Sequence, residues 1–437
     1  MGGDTIFALA TPRGRAAVAI VRISGAGSRF AIETMAGRLP AARRASLRQL
    51  TNPASGDILD HAIVIWFPTP NSFTGEDMAE LHVHGGRAVV EGVLGALSGL
   101  GFRTAAAGEF TRRAFANGKS DLTGVEALAD LIDAQTAAQR RQALRQMSGE
   151  LAAVVDRWRS ALLDAMARIE ADIDFSDEGD VAEASGLSAV DSSLSRVAAE
   201  MDDLLAGSRR SERLRDGIVA VLAGPPNAGK STLLNALAGR DVAIVSDVPG
   251  TTRDALEVSL DLGGIPLTLV DTAGLRVSND HVEREGIRRT RQRLATADLV
   301  LWLTPADEPA DCTDAPDGCP LIHVATKIDS VAKPQIDARL GVSGLTGAGL
   351  DSLVQRLEQV ADGLAGEASL ITRERHRLAL GRAREALGRV LAGLEQTRLE
   401  LAAEDLRLSV RALESLVGRI DVEDVLDRLF ASFCIGK

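Results

Sequence analysis

The stretch GPPNAGKST at 224–232 constrains this chain more than any other, because it stands between an apolar run, IVAVLA at 218–223, and helix-forming LLNALAG at 233–239. A G-x4-G-K-S sequence at a strand-to-helix junction builds a phosphate-binding loop. Gly224 and Gly229 let the backbone wrap closely enough for its N–H groups to surround a β-phosphate. Lys230 reaches the β- and γ-oxygens, and Ser231 offers a hydroxyl to Mg²⁺. The nucleotide-facing set expected here is Asn227, Ala228, Gly229, Lys230, Ser231 and Thr232. A second NGKS, at 117–120, has Arg113 where the first glycine is required, so no second phosphate loop is expected.

Companion motifs follow in the order a nucleotide triphosphatase needs. PGTTRD at 249–254 supplies Thr251 and Thr252 as switch hydroxyls for Mg²⁺ and the γ-phosphate, with Ser246, Asp247, Val248, Pro249 and Gly250 leading into them. DTAG brings Asp271 to metal-bound water and Gly274 to the γ-phosphate, with Thr272 and Ala273 between them. The base is read by TKID, which is Thr326, Lys327, Ile328 and Asp329. A carboxylate at Asp329 accepts from both the ring N–H and the amino group of guanine, a pair that adenine does not present. SGLTG at 343–347 places Ser343, Gly344 and Leu345 where backbone N–H groups meet guanine O6. Most GTPases carry Asn where Thr326 stands, so affinity is expected to fall while guanine preference survives. After DTAG the residue is Leu275 and not the water-orienting glutamine of Ras-like enzymes. Glu283, in the polar run RVSNDHVERE, is the candidate to hold the attacking water, and Asn227 the candidate to help bind a monovalent cation.

Around this centre the hydrophobic pattern changes twice. Residues 1–118 mix strand-like AAVAIVRI and HAIVIWF with helical stretches, as a small α/β domain does. Residues 119–215 read as helix, with Val125, Leu128, Ala129 and Ile132 on one stripe and an acidic interruption, DFSDEGDVAEASG. Residues 216–364 alternate strands and helices, as a doubly wound, mostly parallel sheet requires. Helix returns over 365–437, where Leu387, Val390, Leu391 and Leu394 share one face, as do Val422, Val425, Leu426, Leu429, Phe430 and Phe433. Striped helices need a partner. The expected fold is therefore an α/β multidomain chain with a Ras-like P-loop G domain inserted into a discontinuous helical domain.

Charge and composition exclude several classes. A net charge of −12 argues against a protein that grips nucleic acid unaided, since such binding draws on Lys and Arg. With no Tyr and 3% aromatic residues, a base-stacking platform is also missing. No run of apolar residues is long enough to span a bilayer, and Asp4, Arg13, Arg15 and Arg22 break up the N-terminal apolar stretch, so a cytoplasmic location is expected. Three cysteines, Cys312, Cys319 and Cys434, form neither a disulfide framework nor a four-ligand zinc site, and reduced thiols follow. His82 and His84 alternate on a strand without an evident third metal ligand.

The phosphate loop with Asn227, GTTRD, DTAGL, the flanking helices, FTGED at 73–77, HGG at 84–86 and the terminal FCIGK together resemble the MnmE (TrmE) family of tRNA-modification GTPases over essentially the whole chain. That resemblance implies a homodimer whose N-terminal α/β domain binds folate and dimerises. It implies a flavoprotein partner, MnmG, carrying FAD and joining a heterotetramer or larger complex. The product is a modified C5 on the wobble uridine (U34) of certain tRNAs, with a tetrahydrofolate derivative, 5-formyl or 5,10-methylene, as one-carbon donor. Potassium-dependent pairing of G domains drives GTP hydrolysis in the family. Matched motif by motif, Asn227, Ser246, Val248 and Thr251 surround K⁺, and Glu283 positions the water. Lys230 and Thr252 complete the catalytic set, with Ser231 and Thr252 on Mg²⁺. Arg22, Glu80 and Lys119 contact folate.

The tail poses one further choice. Cys434 stands fourth from the end, where a prenylated thiol would be, but Gly436 and Lys437 fit a lipidation signal poorly, and Asp421, Glu423, Asp424 and Asp427 oppose an anionic leaflet. The resemblance instead carries Lys437 and Cys434 back to the folate site, where Cys434 is either a catalytic thiol or a small buried residue. The alternative function is a GTPase switch that binds a ribosome-assembly intermediate without modification chemistry. A KH domain or second G domain would favour that switch, and neither pattern is found.

Overall fold

Alternating burial along AAVAIVRIS gives this chain its first sheet. The computed structural model describes residues 4–174, 185–244, 257–271, 297–308, 319–332, 334, 336, 339–395, 398–420, 423–433 and 435–436. The chain divides into two compact units: Met1–Ala129 with Glu414–Lys437, and Asp130–Leu413.

In the first unit, β1 (Ile6–Leu9), β2 (Ala16–Ser24), β3 (Ser46–Thr51), β4 (Ile58–Phe67), β5 (Met78–Gly85) and β6 (Arg103–Thr104) form a six-stranded sheet ordered β3-β4-β5-β2-β1-β6. Only β6 runs parallel to its neighbour β1. A strand turns successive side chains to opposite faces. Val21, Ile23, Leu81 and Val83 therefore meet helices α1 (Ser28–Ala36) and α2 (Arg87–Gly99) in one core, and Arg22, Glu80 and His82 fall on the other face. Phe110 of α3 (Glu109–Ala116) joins Ile6 and Ala8 on that second face.

The two striped helices noted in the sequence find each other. Val125, Leu128 and Ala129 of α4 (Leu122–Asp133) cluster with Leu426, Leu429, Phe430 and Phe433, so the chain's end belongs to the N-terminal unit, whereas Ile132, expected on the same stripe, is 40% exposed near the end of the helix. Gly418 lies so close to Leu122 that a Cβ would come within 2.4 Å of its Cβ.

The second unit begins with α5 (Ala137–Met147), α6 (Glu150–Asp174) and α7 (Ser185–Asp216). Its sheet is built from β7 (Ile218–Ala223), β8 (Glu257–Leu262), β9 (Ile265–Asp271), β10 (Leu299–Pro305), β11 (Leu321–Thr326) and β12 (Leu340–Gly341). The order is β12-β11-β10-β7-β9-β8, parallel except for β8, and α8 (Lys230–Ala238) and α9 (Leu350–Leu364) share its core. Helices α10 (Glu374–Glu395) and α11 (Leu399–Val417) follow, with Ser409 Oγ donating to Ala383 O at 3.0 Å. Leu387 and Val390 of α10 are fully buried.

Insertion of the α/β block requires its ends to meet. They do: Gly366 N donates to Arg210 O at 3.2 Å, and Ser211 Oγ donates to Ser369 O at 3.0 Å. Three glutamines spaced along α5 reinforce the junction, with Gln139 Nε2 donating to Arg215 O, Gln142 Nε2 to Ser211 O and Gln146 Nε2 to Leu370 O. Among the described residues no helix is long and apolar enough to cross a membrane.

Candidate functional site

The phosphate loop is fastened at both ends. A Cβ on Gly224, whose φ is +137°, would lie 2.1 Å from Leu303 O, so only glycine lets the loop leave β7 against β10. At the other end Gly229 has φ +87° and caps α8 without a side-chain hydrogen bond, leaving the helix N–H groups for an anion. Asn227 is exposed and also left-handed, at φ 63°. Lys230 is buried and folds back, its Nζ donating to Gly224 O at 2.9 Å and Pro225 O at 2.8 Å. One residue on, Ser231 Oγ donates to Asp271 Oδ2 at 2.7 Å. A hydroxyl and a fully buried carboxylate so placed are hard oxygen donors, a pair that suits Mg²⁺.

The TKID and SGLTG segments lie beside this loop. Thr326 ends β11 and its Oγ1 sits 2.6 Å from Ala228 O, joining TKID to the phosphate loop. Lys327 turns the chain with φ 58°, and Asp329 is exposed beyond it. Ile328 N donates to Val342 O at 3.4 Å. In SGLTG, buried Ser343 accepts at Oγ from Leu345 N at 3.3 Å and Thr346 N at 3.1 Å, which shapes the loop from within. A Cβ on Gly344 would come within 3.0 Å of Thr232 Cγ2, so this loop abuts α8. Ser246, Asp247, Val248, Pro249, Gly250, Thr251, Thr252, Thr272, Ala273, Gly274 and Glu283 lie outside the described residues.

A second constellation forms in the N-terminal unit. Arg22 and Glu80 are cross-strand partners on β2 and β5, and Arg22 donates to Glu80 Oε1 from Nε at 3.2 Å and from Nη2 at 3.0 Å. Phe73 of FTGED and Phe110 flank the guanidinium at 5.5 Å and 5.7 Å from their ring centroids. Arg22 Nη1 also donates to Gly436 O at 3.4 Å, and Ile435 bridges Ala107, so the tail reaches this site. Lys119 lies along the FTGED loop, since a Cβ on Gly75 would stand 3.3 Å from its Cε. The neighbouring Asn117 Nδ2 donates to Thr74 O at 2.7 Å, which gives the NGKS sequence a role in holding this loop. Cys434 and Lys437 lie outside the described residues.

Several neighbours of these residues leave no mark of their role in the sequence. His82 Nε2 stands 3.1 Å from Glu80 Oε2, so this carboxylate meets two cationic or N–H-bearing groups. Ser24 Oγ donates to Glu76 Oε2 at 2.8 Å, and Arg113 Nη1 donates to the same oxygen at 3.0 Å. The two Glu76 links join positions far apart in sequence, and Glu76 of FTGED is their trace in the linear chain. His84 pairs with Asp60 at 2.8 Å. Burial acts to raise the Asp60 carboxyl, but hydrogen bonds from the His84 amide and ring and the His61 amide outweigh it and hold the carboxyl below its usual range. Among the described residues no group of three His, Cys, Asp or Glu could hold a metal ion. Cys319 is free, and burial, with Asp298 beside it, pushes its thiol up, away from a reactive thiolate.

Two family models match this chain along nearly its whole length. The family model for the GTP-binding protein TrmE N-terminus matches residues 5–119, and that for the MnmE helical domain matches residues 122–434. The tRNA modification GTPase MnmE of Methylobacterium sp. (strain 4-46) is 54% identical over 442 residues, covering 99% of this chain and 100% of its own. Its namesake in Methylorubrum populi is 54% identical over 440 residues, covering 99% of this chain and 98% of its own. A solved structure of Aquifex aeolicus Era bound to GDP·AlF4⁻ is 28% identical with a TM-score of 0.26, covering 39% of this chain and 66% of that one. With family models and full-length relatives that agree along nearly the entire sequence, the chain belongs to the MnmE (TrmE) family of tRNA modification GTPases.

Proposed function

We propose that this chain is a GTP hydrolase acting in tRNA modification, and that with a flavoprotein partner of the MnmG kind it modifies C5 of the wobble uridine from a folate one-carbon donor. The observation that supports the hydrolase reading is the Ser231–Asp271 hydrogen bond at 2.7 Å beside the Lys230 loop, a hydroxyl and a carboxylate whose oxygens suit Mg²⁺ next to a loop whose N–H groups suit phosphate. Ser231 and Thr252 would hold Mg²⁺, and Asn227, Ser246, Val248 and Thr251 would hold K⁺. An alkali cation supplies positive charge to a developing transition state that otherwise needs an arginine finger. Glu283 would orient the attacking water, and Asp329 would select guanine.

What supports the folate reading is the Arg22–Glu80–His82 group between Phe73 and Phe110, with the Gly436 carbonyl against Arg22. A carboxylate suits the N–H edge of a pterin, aromatic faces suit its rings, and Arg22, Lys119 and Lys437 suit the donor's own carboxylates. The wider assembly is a cytoplasmic homodimer that joins the FAD-bearing partner and tRNA. The acidic chain, at −12, leaves much of the RNA grip to that partner.

Two measurements test the proposal. Wobble-uridine nucleosides are compared in cells with and without the protein: loss of the C5 modification is expected, and unchanged uridines would favour the ribosome-assembly switch. GTP hydrolysis is measured in potassium and in sodium, and equal rates at every protein concentration would remove the potassium-dependent dimer from the account.

A further inference from the structure

We infer that Arg339 is a positioning residue for guanine selection, acting through Thr304 and Thr326 on the two loops that read the base. The inference rests on the reading of Asp329 as the guanine-binding carboxylate. Arg339 is 5% exposed, deep burial for a guanidinium, which is tolerated when its N–H groups are hydrogen bonded. Its Nη1 donates to Thr304 Oγ1 at 2.7 Å and Glu308 O at 3.0 Å, and its Nε donates to Ile336 O at 3.3 Å. One side chain thereby fastens the end of β10, the turn after it and the approach to β12.

The end of β10 is where Thr326 is held. Thr304 and Pro305 pair in register with Ala325 and Thr326, and Ala306 N donates to Thr326 O at 2.9 Å. Thr326 Oγ1 lies 3.2 Å from Thr304 O and 2.6 Å from Ala228 O, and its single proton goes to the nearer carbonyl, that of the phosphate loop. The left-handed turn at Lys327 comes next, so the direction in which Asp329 leaves the sheet is set where Thr326 is clamped. On its other side Arg339 leads directly into β12 and Ser343, whose hydroxyl shapes the second base-reading loop. Nothing in the sequence ARLGVSG marks the arginine for this work.

The test compares affinity for GDP with affinity for IDP, whose base lacks the amino group that Asp329 would bind. Full-length wild type, Arg339→Gln, Thr304→Val, Thr304→Ser and the Arg339→Gln/Thr304→Val double variant are titrated. Arg339→Gln and Thr304→Val are each expected to lower the GDP-over-IDP preference about fivefold or more. Thr304→Ser, which keeps the hydroxyl, restores it, and the double variant is no worse than the poorer single one. Preference within about twofold of wild type in both single variants, whatever happens to absolute affinity, overturns the inference. Should Arg339→Gln fail to fold, the Thr304→Val and Thr304→Ser pair decides alone. A wild-type protein with no preference for GDP fails differently: it overturns the Asp329 reading, and the inference falls with it.

Discussion

Ser231 Oγ donates to Asp271 Oδ2 at 2.7 Å, so the first turn of α8 and the last residue of β9 meet at one point. The two are 40 positions apart in sequence. Parallel pairing of β7 with β9, Leu222 opposite Asp271, aligns them. Leu222 and Asp271 lie at the carboxyl ends of these parallel strands, the end of an open α/β sheet where ligand sites form.

Removing either partner should damage hydrolysis through the metal. Ser231→Ala and Asp271→Asn are expected to lower kcat/KM for GTP by roughly 10²-fold or more, because a polarising divalent ion contributes several kcal/mol. Raising Mg²⁺ should partly restore the Ser231→Ala variant. Steady-state rates across a Mg²⁺ titration check this, and wild-type rates in both variants would speak against the assignment.

Asn227 is exposed, and its left-handed backbone belongs to the phosphate loop. Asn227→Ala should lose potassium stimulation of GTP hydrolysis while nucleotide binding stays largely intact. Stopped-flow nucleotide binding and turnover in potassium against sodium separate the two effects. Glu283→Ala should slow turnover without abolishing association.

Glu80 meets both Arg22 and His82. Glu80→Gln keeps the shape and removes the charge, so affinity for 5-formyl-tetrahydrofolate is expected to fall roughly ten- to hundredfold, the range of a charged hydrogen bond. Calorimetry on the folded variant reads this directly, and unaltered affinity would move the folate site elsewhere.

Burial raises the Glu109 carboxyl, but hydrogen bonds from Arg103, the Ala106 amide and Arg113 hold it below its usual value of 4.5. A carboxylate with a depressed folded pKa contributes stability that is full above the unfolded value and lost as pH falls through the folded one. The stability gap between wild type and Glu109→Gln should therefore be widest near neutrality and close as pH drops from about 5 towards 3. Urea midpoints along that series are the measurement, and a gap that widens on acidification contradicts the assignment.

Gly224→Ala forces a Cβ to within 2.1 Å of the Leu303 carbonyl. Backbone has to move, at an expected stability loss of about 2 kcal/mol or more, with nucleotide binding lost as the loop shifts. Thermal unfolding with and without GDP distinguishes the two consequences: a variant that still gains stability from GDP retains its loop.

Local chemistry made part of this protein readable in one dimension. Phosphate, magnesium and guanine each demand particular residue types a few positions apart, so GPPNAGKST, DTAG and TKID point to a nucleotide site before any fold is known. The stripes on α4 and α12 (Glu423–Ser432) were legible too, since a 3.6-residue period repeats along one helix. Their mutual pairing was not, because a stripe states that a partner is needed without naming it.

Contacts across long sequence separations were left to the tertiary structure. His82 joins Glu80 because both face the same side of β5, Arg22 reaches them across the strand register, and the tail's Gly436 carbonyl meets that arginine from 414 positions away. Arg339 acquires its partners only when β10, β11 and β12 lie side by side. Which chemistry each segment can bring is written in its side chains and their local spacing. The folded chain decided which segments share a site, since strand register and helix packing alone bring distant residues within hydrogen-bond reach.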